Sequence, residues 1–125
     1  MLPVDAFITF IYVEDLSRST VFYEEILQLP LAADQGSCRI YRIVSGNAYV
    51  GICERGERPV TENLIMTIVT DAVDAWYQRL MDRGVSCESA PKTNDTYGIY
   101  HFFARDPDGY RIEIQRFLAD AWDQS

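Results

Sequence analysis

The sequence predicts an α+β fold made of two β-α-β-β-β modules in series. Three observations carry this prediction: a repeat about 55 residues apart, an amphipathic helix in each copy, and a strong turn near the C-terminus. A chain of 125 residues is long enough for one compact domain or two very small ones. Because one such module cannot bury both faces of its sheet, we expect the two modules to pack into one compact domain.

The repeat matches residues 13–16, Val-Glu-Asp-Leu, to residues 69–72, Val-Thr-Asp-Ala. It also matches residues 22–27 to residues 76–81. The two offsets, 56 and 54 residues, differ by a small insertion or deletion. Each copy contains an apolar strand, a turn with an aspartate and a helix. We place the first module at residues 1–58 and the second, with a C-terminal tail, at residues 59–125.

Both helices are predicted from apolar residues at helical spacing, which form one buried face. Pro30 ends the first helix, and Gly84 suits the end of the second. The spaced apolar residues are Phe22, Ile26 and Leu29 in the first helix and Val73, Trp76, Tyr77 and Leu80 in the second.

The segment Asp106-Pro107-Asp108-Gly109 predicts a three-residue hairpin loop that ends with glycine at positive φ. This turn fixes the register of its two strands, so alternation sorts their side chains onto two faces. The apolar face needs a covering layer, and the polar face meets solvent or lines a cavity. The apolar face carries Tyr100, Phe102, Ala104, Ile112 and Ile114, and the polar face carries His101, Phe103, Arg105, Arg111, Glu113 and Gln115.

A second hairpin is predicted from residues 38–44 and 48–54, around Ser45-Gly46-Asn47. A two-residue Gly-Asn loop and a three-residue Ser-Gly-Asn loop put opposite strand faces inward. The sequence leaves this register open, and with it the face on which Tyr41 lies.

The composition limits the partners and the compartment. A net charge of −8 argues against nucleic acid as a partner, whereas an acidic surface tolerates cationic ligands. No segment resembles a membrane span or a secretory leader, so neither a membrane partner nor export is expected. The spacing of Cys38, Cys53 and Cys87 suggests neither a disulfide framework nor a zinc site, which favours the cytoplasm. The single histidine excludes sites that need two.

The paired modules, Val-x-Asp-Leu before Phe-Tyr, and Asp-Pro-Asp-Gly-Tyr-Arg-Ile-Glu-Ile at residues 106–114 resemble the vicinal oxygen chelate superfamily. This group includes glyoxalase I, bleomycin resistance proteins, extradiol dioxygenases and fosfomycin resistance proteins. The resemblance covers residues 7–117. It implies an open, curled mixed β-sheet around a cavity, with the polar hairpin face pointing inward. It also implies a homodimer.

In the metal-dependent members of the superfamily, four positions on the strands hold the ion. Carried over to this chain, they fall on Ile8, Gly51, Leu64 and Glu113. Only Glu113 has a side chain that binds metals, and a divalent ion needs at least three protein ligands. We therefore predict no metal and no cofactor, and a divalent metal only if Glu113 gains other ligands.

That departure favours the metal-free branch, typified by bleomycin resistance proteins, which bind a drug or metabolite without transforming it. The expected partner is a small organic ligand with an aromatic or heterocyclic part, held by apolar and aromatic walls. The candidate ligand-binding residues are Ile8, Phe10, Tyr49, Gly51, Leu64, Met66, Tyr97, His101, Phe103 and Glu113.

The alternative is an enzyme of this superfamily, a lyase, isomerase or dioxygenase with a rebuilt metal site, or an acid–base catalyst. His101 and Glu113 are the candidate catalytic residues, because a histidine beside a carboxylate can act as a general base. They could equally be a polar pair that satisfies itself in the cavity wall. Arg105 and Arg111 could neutralise Glu113 or meet an anionic ligand.

A protein-interaction module is a third hypothesis. The C-terminal tail carries the apolar residues Phe117, Leu118 and Trp122. These side chains could pack on a dimer partner or cover their own sheet.

Overall fold

The computed structural model of the protein describes residues 2–43 and 46–118, and it has the predicted α+β architecture with two four-stranded mixed sheets. The chain divides into two compact units, Met1–Val60 and Thr61–Ser125. Trp122, one of the tail residues considered above, lies outside the described residues. Within the described ranges, no helix is long and apolar enough to cross a membrane.

The first unit contains one four-stranded sheet with the strand order β1-β4-β3-β2, in which β1 and β4 are parallel and the other pairs antiparallel. Asp15 caps the N-terminus of the helix in this unit, because its carboxylate accepts hydrogen bonds from the backbone N–H groups of Ser17 and Arg18. Its elements are β1 (Phe7–Val13), α1 (Leu16–Thr20) continuing as a π-helical segment (Val21–Ile26), β2 (Leu31–Asp34), β3 (Cys38–Arg42) and β4 (Ala48–Glu54).

The second unit repeats this arrangement, with strand order β5-β8-β7-β6 and parallel pairing of β5 with β8. The helix lies against the central strands, where Tyr77 meets Phe102 edge to face at 5.2 Å between ring centroids. Its elements are β5 (Ile65–Val69), α2 (Val73–Asp82), β6 (Lys92–Asn94), β7 (Ile99–Arg105) and β8 (Arg111–Phe117).

The structure confirms the hairpin register read from Asp106-Pro107-Asp108-Gly109. Gly109 has φ +100°, and the backbone N–H of Asp106 donates to the carbonyl of Tyr110 at 3.0 Å. Arg105 pairs with Arg111 and the register continues to the pair Ile99 and Phe117. The predicted apolar face is buried, apart from the half-buried Tyr100.

Near the C-terminal end of the first helix, the buried residue is Leu27 and not the predicted Ile26. The backbone N–H of Leu27 bonds to the carbonyl of Phe22, five residues earlier, as in a π-helix. This wider turn rotates Leu27 into the core, whereas Ile26, placed there by a period of 3.6 residues, is only half-buried.

Neither predicted loop for the second hairpin is correct, since Ile43 bonds to Ala48 across a four-residue connection. Tyr41 therefore pairs with Val50 and is fully buried, with its ring stacked on Tyr23 at 6.1 Å. It does not share the face of Gly51.

The prediction against a disulfide is wrong for two of the three cysteines. The same register sets Cys38 directly opposite Cys53, and the two form a disulfide with a Cα–Cα distance of 4.1 Å. Cys87 is free. The expectation of a cytoplasmic location rested in part on unpaired cysteines, and that argument no longer supports it.

Candidate functional site

One face of the second unit's sheet forms an open pocket of about 510 Å³. Alternation along β7 and β8 directs their odd-numbered side chains to this face, while the even-numbered ones pack toward α2. The pocket has apolar and aromatic walls with a few polar groups between them. Its lining residues are Ile65, Asn94, Tyr97, Ile99, His101, Phe103, Glu113, Gln115 and Phe117.

The polar centre of the pocket is the pair His101 and Glu113. Nδ1 of His101 lies 2.7 Å from Oε2 of Glu113, and the side chains are only 8% and 12% exposed. The hydroxyl of Thr67 on β5 donates to the other carboxylate oxygen, Oε1, at 3.0 Å. Both oxygens of Glu113 are therefore engaged. With a neutral imidazole, Nδ1 donates to Glu113 and Nε2 is left as the acceptor for a ligand.

Aromatic rings flank this polar pair. The ring of Phe103 meets the imidazole of His101 edge to face, with 5.2 Å between centroids. Tyr97 lies at the rim with 71% of its surface exposed, and its backbone N–H donates to the side chain of Asn94 at 3.2 Å. The guanidinium carbon of Arg111 lies 3.7 Å from the centroid of the Phe103 ring and covers one of its faces. A planar ligand can stack on the exposed ring of Tyr97 and contact the remaining surface of Phe103.

Arg105 and Arg111 both contact Glu88, and no ion pair joins either of them to Glu113. Nε and Nη2 of Arg111 donate to the two oxygens of Glu88 at 2.9 and 2.7 Å. Nη2 of Arg105 lies 3.0 Å from the same carboxylate. The hydrogen bonds from Arg111 lower the pKa of the Glu88 carboxyl and raise the pKa of the Arg111 guanidinium.

In the first unit, four of the predicted ligand-binding residues share one sheet face. Ile8 pairs with Tyr49 and Phe10 pairs with Gly51 across the parallel strands β1 and β4. The ring of Phe10 covers Gly51 so closely that a Cβ atom there would collide with ring atoms Cδ1 and Cε1. Arg42 lies over the ring of Tyr49 at 5.0 Å.

The structure moves the predicted position on β5 by one residue. Leu64 precedes the strand, and Met66 pairs with Ile112 on the face directed to the helix. The pocket face carries Ile65 and Thr67.

The cause of this shift is a one-residue difference between the modules. α1 begins one residue after Asp15, whereas α2 begins two residues after Asp71. Counting back from the second aspartate therefore reaches the wrong strand face. Counting back from the start of each helix relates Ile8 to Ile65.

Two units of type β-α-β-β-β, each with a helix on one sheet face, define a protein of the glyoxalase fold class. The chain belongs to the Glyoxalase/Bleomycin resistance protein/Dioxygenase superfamily, whose family model matches residues 6–114. The YraH protein of Bacillus subtilis (strain 168) is 25% identical across 85% of this chain and 93% of its own length.

Solved structures of this superfamily resemble the protein over nearly its whole length. A glyoxalase/bleomycin resistance protein/dioxygenase from Nocardioides has a TM-score of 0.78 at 16% identity, over 96% of this chain and 87% of its own. Fosfomycin resistance protein FosX from Listeria monocytogenes has a TM-score of 0.73 at 15% identity, over 97% of this chain and 98% of its own. Lactoylglutathione lyase from Agrobacterium tumefaciens has a TM-score of 0.71 at 18% identity, over 91% of this chain and 94% of its own. Such identities establish the fold alone.

The side chains at the four positions that the resemblance assigns to a metal ion do not form a metal site. With the corrected register these positions are Ile8, Gly51, Ile65 and Glu113, and only Glu113 can donate an oxygen ligand. Among residues 2–43 and 46–118, no group of three or more His, Cys, Asp or Glu side chains could hold a metal ion.

Several residues that line this site were not among the candidate ligand-binding residues, although the sequence analysis placed Gln115 on the polar face of the hairpin. Ile99, Gln115 and Phe117 follow from the hairpin register, since they lie on the same face as His101. Asn94 has no such signal, because β6 is only three residues long and its pairing is set by tertiary contacts.

Proposed function

We propose that this protein binds a mid-sized organic molecule with an aromatic or heterocyclic part, without a metal ion and without transforming it. The observation that carries the proposal is the His101–Glu113 pair in the wall of a pocket with aromatic sides. The volume of about 510 Å³ lies within the range of about 300–1,000 Å³ typical of small-molecule sites.

The chemistry of the lining suits binding. Ile65, Ile99, Phe103 and Phe117 supply apolar area, which contributes affinity without strict direction. The imidazole of His101 is held in one orientation by Glu113, so it offers a fixed hydrogen-bonding atom to the ligand. A site with apolar walls and one oriented polar group selects ligands by shape and by one hydrogen bond.

The metal-free part of the proposal rests on donor chemistry. Ile8, Gly51 and Ile65 offer no side-chain oxygen, nitrogen or thiolate at the positions where metal-dependent relatives hold their ion. Elemental analysis of freshly purified protein tests this point. A divalent ion present at close to one per chain would contradict it.

A second candidate is an acid–base enzyme that uses His101 as the base and Glu113 to orient it. The 2.7 Å contact between the two side chains favours this alternative, because a carboxylate at Nδ1 prepares Nε2 to accept a proton. Incubation with α-oxoaldehyde, epoxide and catechol substrates distinguishes the two functions. Turnover that is lost in both His101→Ala and Glu113→Gln would establish the enzyme and overturn the binding-only proposal.

Titration calorimetry with a neutral aromatic probe, 2-naphthamide, tests the binding function directly. We expect binding to the wild type and affinity about tenfold weaker in Phe103→Ala, since truncation removes the aromatic wall that the ligand contacts. Glu62→Gln is the matched control, because Glu62 is exposed and does not line the pocket. Equal affinity in Phe103→Ala and the wild type would place the binding elsewhere.

The homodimer and the cytoplasmic location expected from the sequence stay predictions. Light scattering coupled to size-exclusion chromatography tests the dimer, and a mass of one chain at micromolar concentration would contradict it.

A further inference from the structure

We propose that the ligand of this pocket is an acid, an aromatic or heterocyclic molecule with a carboxylate or phosphate-type group that docks on Arg105 and Arg111. This inference rests on the proposed binding function and specifies the class of its ligand.

Three cationic and two anionic side chains lie on the pocket face, a small excess of positive charge on an acidic protein. The chain as a whole carries −8. The pocket face nevertheless presents Arg105, Arg111 and Lys92, which is the only lysine of the sequence, against Glu88 and Glu113. Lys92 lies on this face because it pairs with His101. A local excess of positive charge on an acidic protein attracts anions to this face in particular.

Arg105 and Arg111 already hold a carboxylate in the geometry that an acidic ligand would need. Arg111 grips Glu88 with two parallel hydrogen bonds, and Arg105 lies 3.0 Å from the same group. Two guanidinium groups therefore share one negative charge. Planar guanidinium groups recognise carboxylate and phosphate oxygens in this bidentate manner. A ligand anion can share this cluster or displace Glu88 from it.

The arginine cluster adjoins the pocket. The guanidinium of Arg111 lies 3.7 Å from the ring centroid of Phe103, and Arg111 pairs with Ile65 across β5 and β8. Phe103 and Ile65 both line the pocket. A ligand whose ring occupies the pocket beside Phe103 thus brings an attached anionic group to the arginines.

Glu113, the carboxylate inside the pocket, is poorly placed to bind a cationic ligand. Thr67 and His101 already occupy its two oxygens. The carboxylate of Asp106, next to Arg105 in the sequence, accepts hydrogen bonds from the backbone N–H groups of Asp108 and Tyr110 inside the turn. The acidic groups are therefore satisfied internally, whereas the cationic groups outnumber their partners.

Three ligands with the same ring system test the inference by titration calorimetry: 2-naphthoate, 2-naphthamide and 2-naphthylmethylammonium. We expect the naphthoate to bind about tenfold more tightly than the amide and the ammonium ligand to bind most weakly. Added salt should weaken the naphthoate alone, because only its binding uses the arginine charges.

Two substitutions should shift naphthoate affinity in opposite directions. Arg111→Gln should weaken it about tenfold, and Glu88→Gln should strengthen it about threefold by removing the competing carboxylate. Neither should change affinity for the amide by more than about twofold. The matched control is Arg116→Gln, since Arg116 lies on the same strand but faces away from the pocket, over Tyr100.

The outcomes separate this inference from the binding function. Equal affinities for the three ligands, a preference for the ammonium compound, or an unchanged naphthoate affinity in Glu88→Gln would overturn the acidic-ligand inference and leave the binding function standing. Failure of all three ligands to bind would overturn the binding function itself.

Discussion

The imidazole of His101 and the carboxylate of Glu113 are 2.7 Å apart, although the two residues are not paired across their strands. His101 pairs with Gln115, and Glu113 pairs with Phe103, so the contact runs diagonally across the hairpin. Thr67 adds a hydrogen bond from β5 to the same carboxylate. One carboxylate therefore joins three neighbouring strands in the wall of the pocket.

The first prediction concerns the energy of this contact. His101→Ala should lower the free energy of unfolding by about 1–3 kcal/mol, because it leaves one oxygen of a nearly buried carboxylate without a hydrogen-bond partner. In a double-mutant cycle with Glu113→Gln, the coupling energy should be about 1 kcal/mol. Urea unfolding measures both values. Additive effects of the two substitutions would show that the contact contributes nothing to stability.

The second prediction concerns acid stability and Glu88. The hydrogen bonds from Arg111 lower the pKa of this carboxyl below its ordinary value of 4.5 in the folded protein. Its contribution is therefore complete above that value and is lost as the pH falls through the lowered pKa. Glu88→Gln should consequently lose less stability than the wild type between about pH 6 and about pH 3. Parallel urea curves at the two pH values measure this, and identical losses would contradict it.

The third prediction concerns the disulfide between Cys38 and Cys53, which lie 15 residues apart. Closing a loop of this length stabilises a protein by about 3 kcal/mol in the chain-entropy model. Reduction should lower the unfolding free energy by about that amount. Cys87→Ser should change nothing in this comparison, and a Cys38→Ser/Cys53→Ser variant should be insensitive to reductant. Thiol titration showing three free cysteines in protein purified without reductant would contradict the pairing.

The fourth prediction concerns Gly51 and the ring of Phe10 that covers it. Gly51→Ala should destabilise the protein by about 1 kcal/mol, because the new methyl group would overlap the Phe10 ring and force it to move. In a Phe10→Ala background the same substitution should be neutral or slightly stabilising, since alanine is favoured over glycine in a strand. Thermal unfolding of the four proteins measures the difference. An equal cost in both backgrounds would mean that the ring is not the obstacle.

Much of this fold could be predicted because local chemistry determines it. The Asp106–Gly109 turn set the register of β7 and β8, and alternation then placed His101, Phe103 and Glu113 on one face. The helix from Val73 and its end at Gly84 followed from spacing and from a residue suited to positive φ. These features depend on residues close together in the sequence.

The errors arose where no local signal existed. The π-helical turn placed Leu27 in the core instead of Ile26. The four-residue connection between β3 and β4 decided the face of Tyr41 and brought Cys38 opposite Cys53. In each case a shift of one residue reverses or rotates the side chains, and competing registers have similar local energies.

The sequence by itself determined the α+β class and the duplicated module. It also showed that Glu113 is a carboxylate, whereas Ile8 and Gly51 have no metal-binding side chain. Only the tertiary structure decided that Ile65 and Thr67 face the pocket, and that Arg105 and Arg111 hold Glu88. The physical reason is that turns and helices are governed by neighbouring residues. The pairing of β5 with β8, by contrast, is set by packing between segments more than 40 residues apart, as the bond from Thr67 to Glu113 shows.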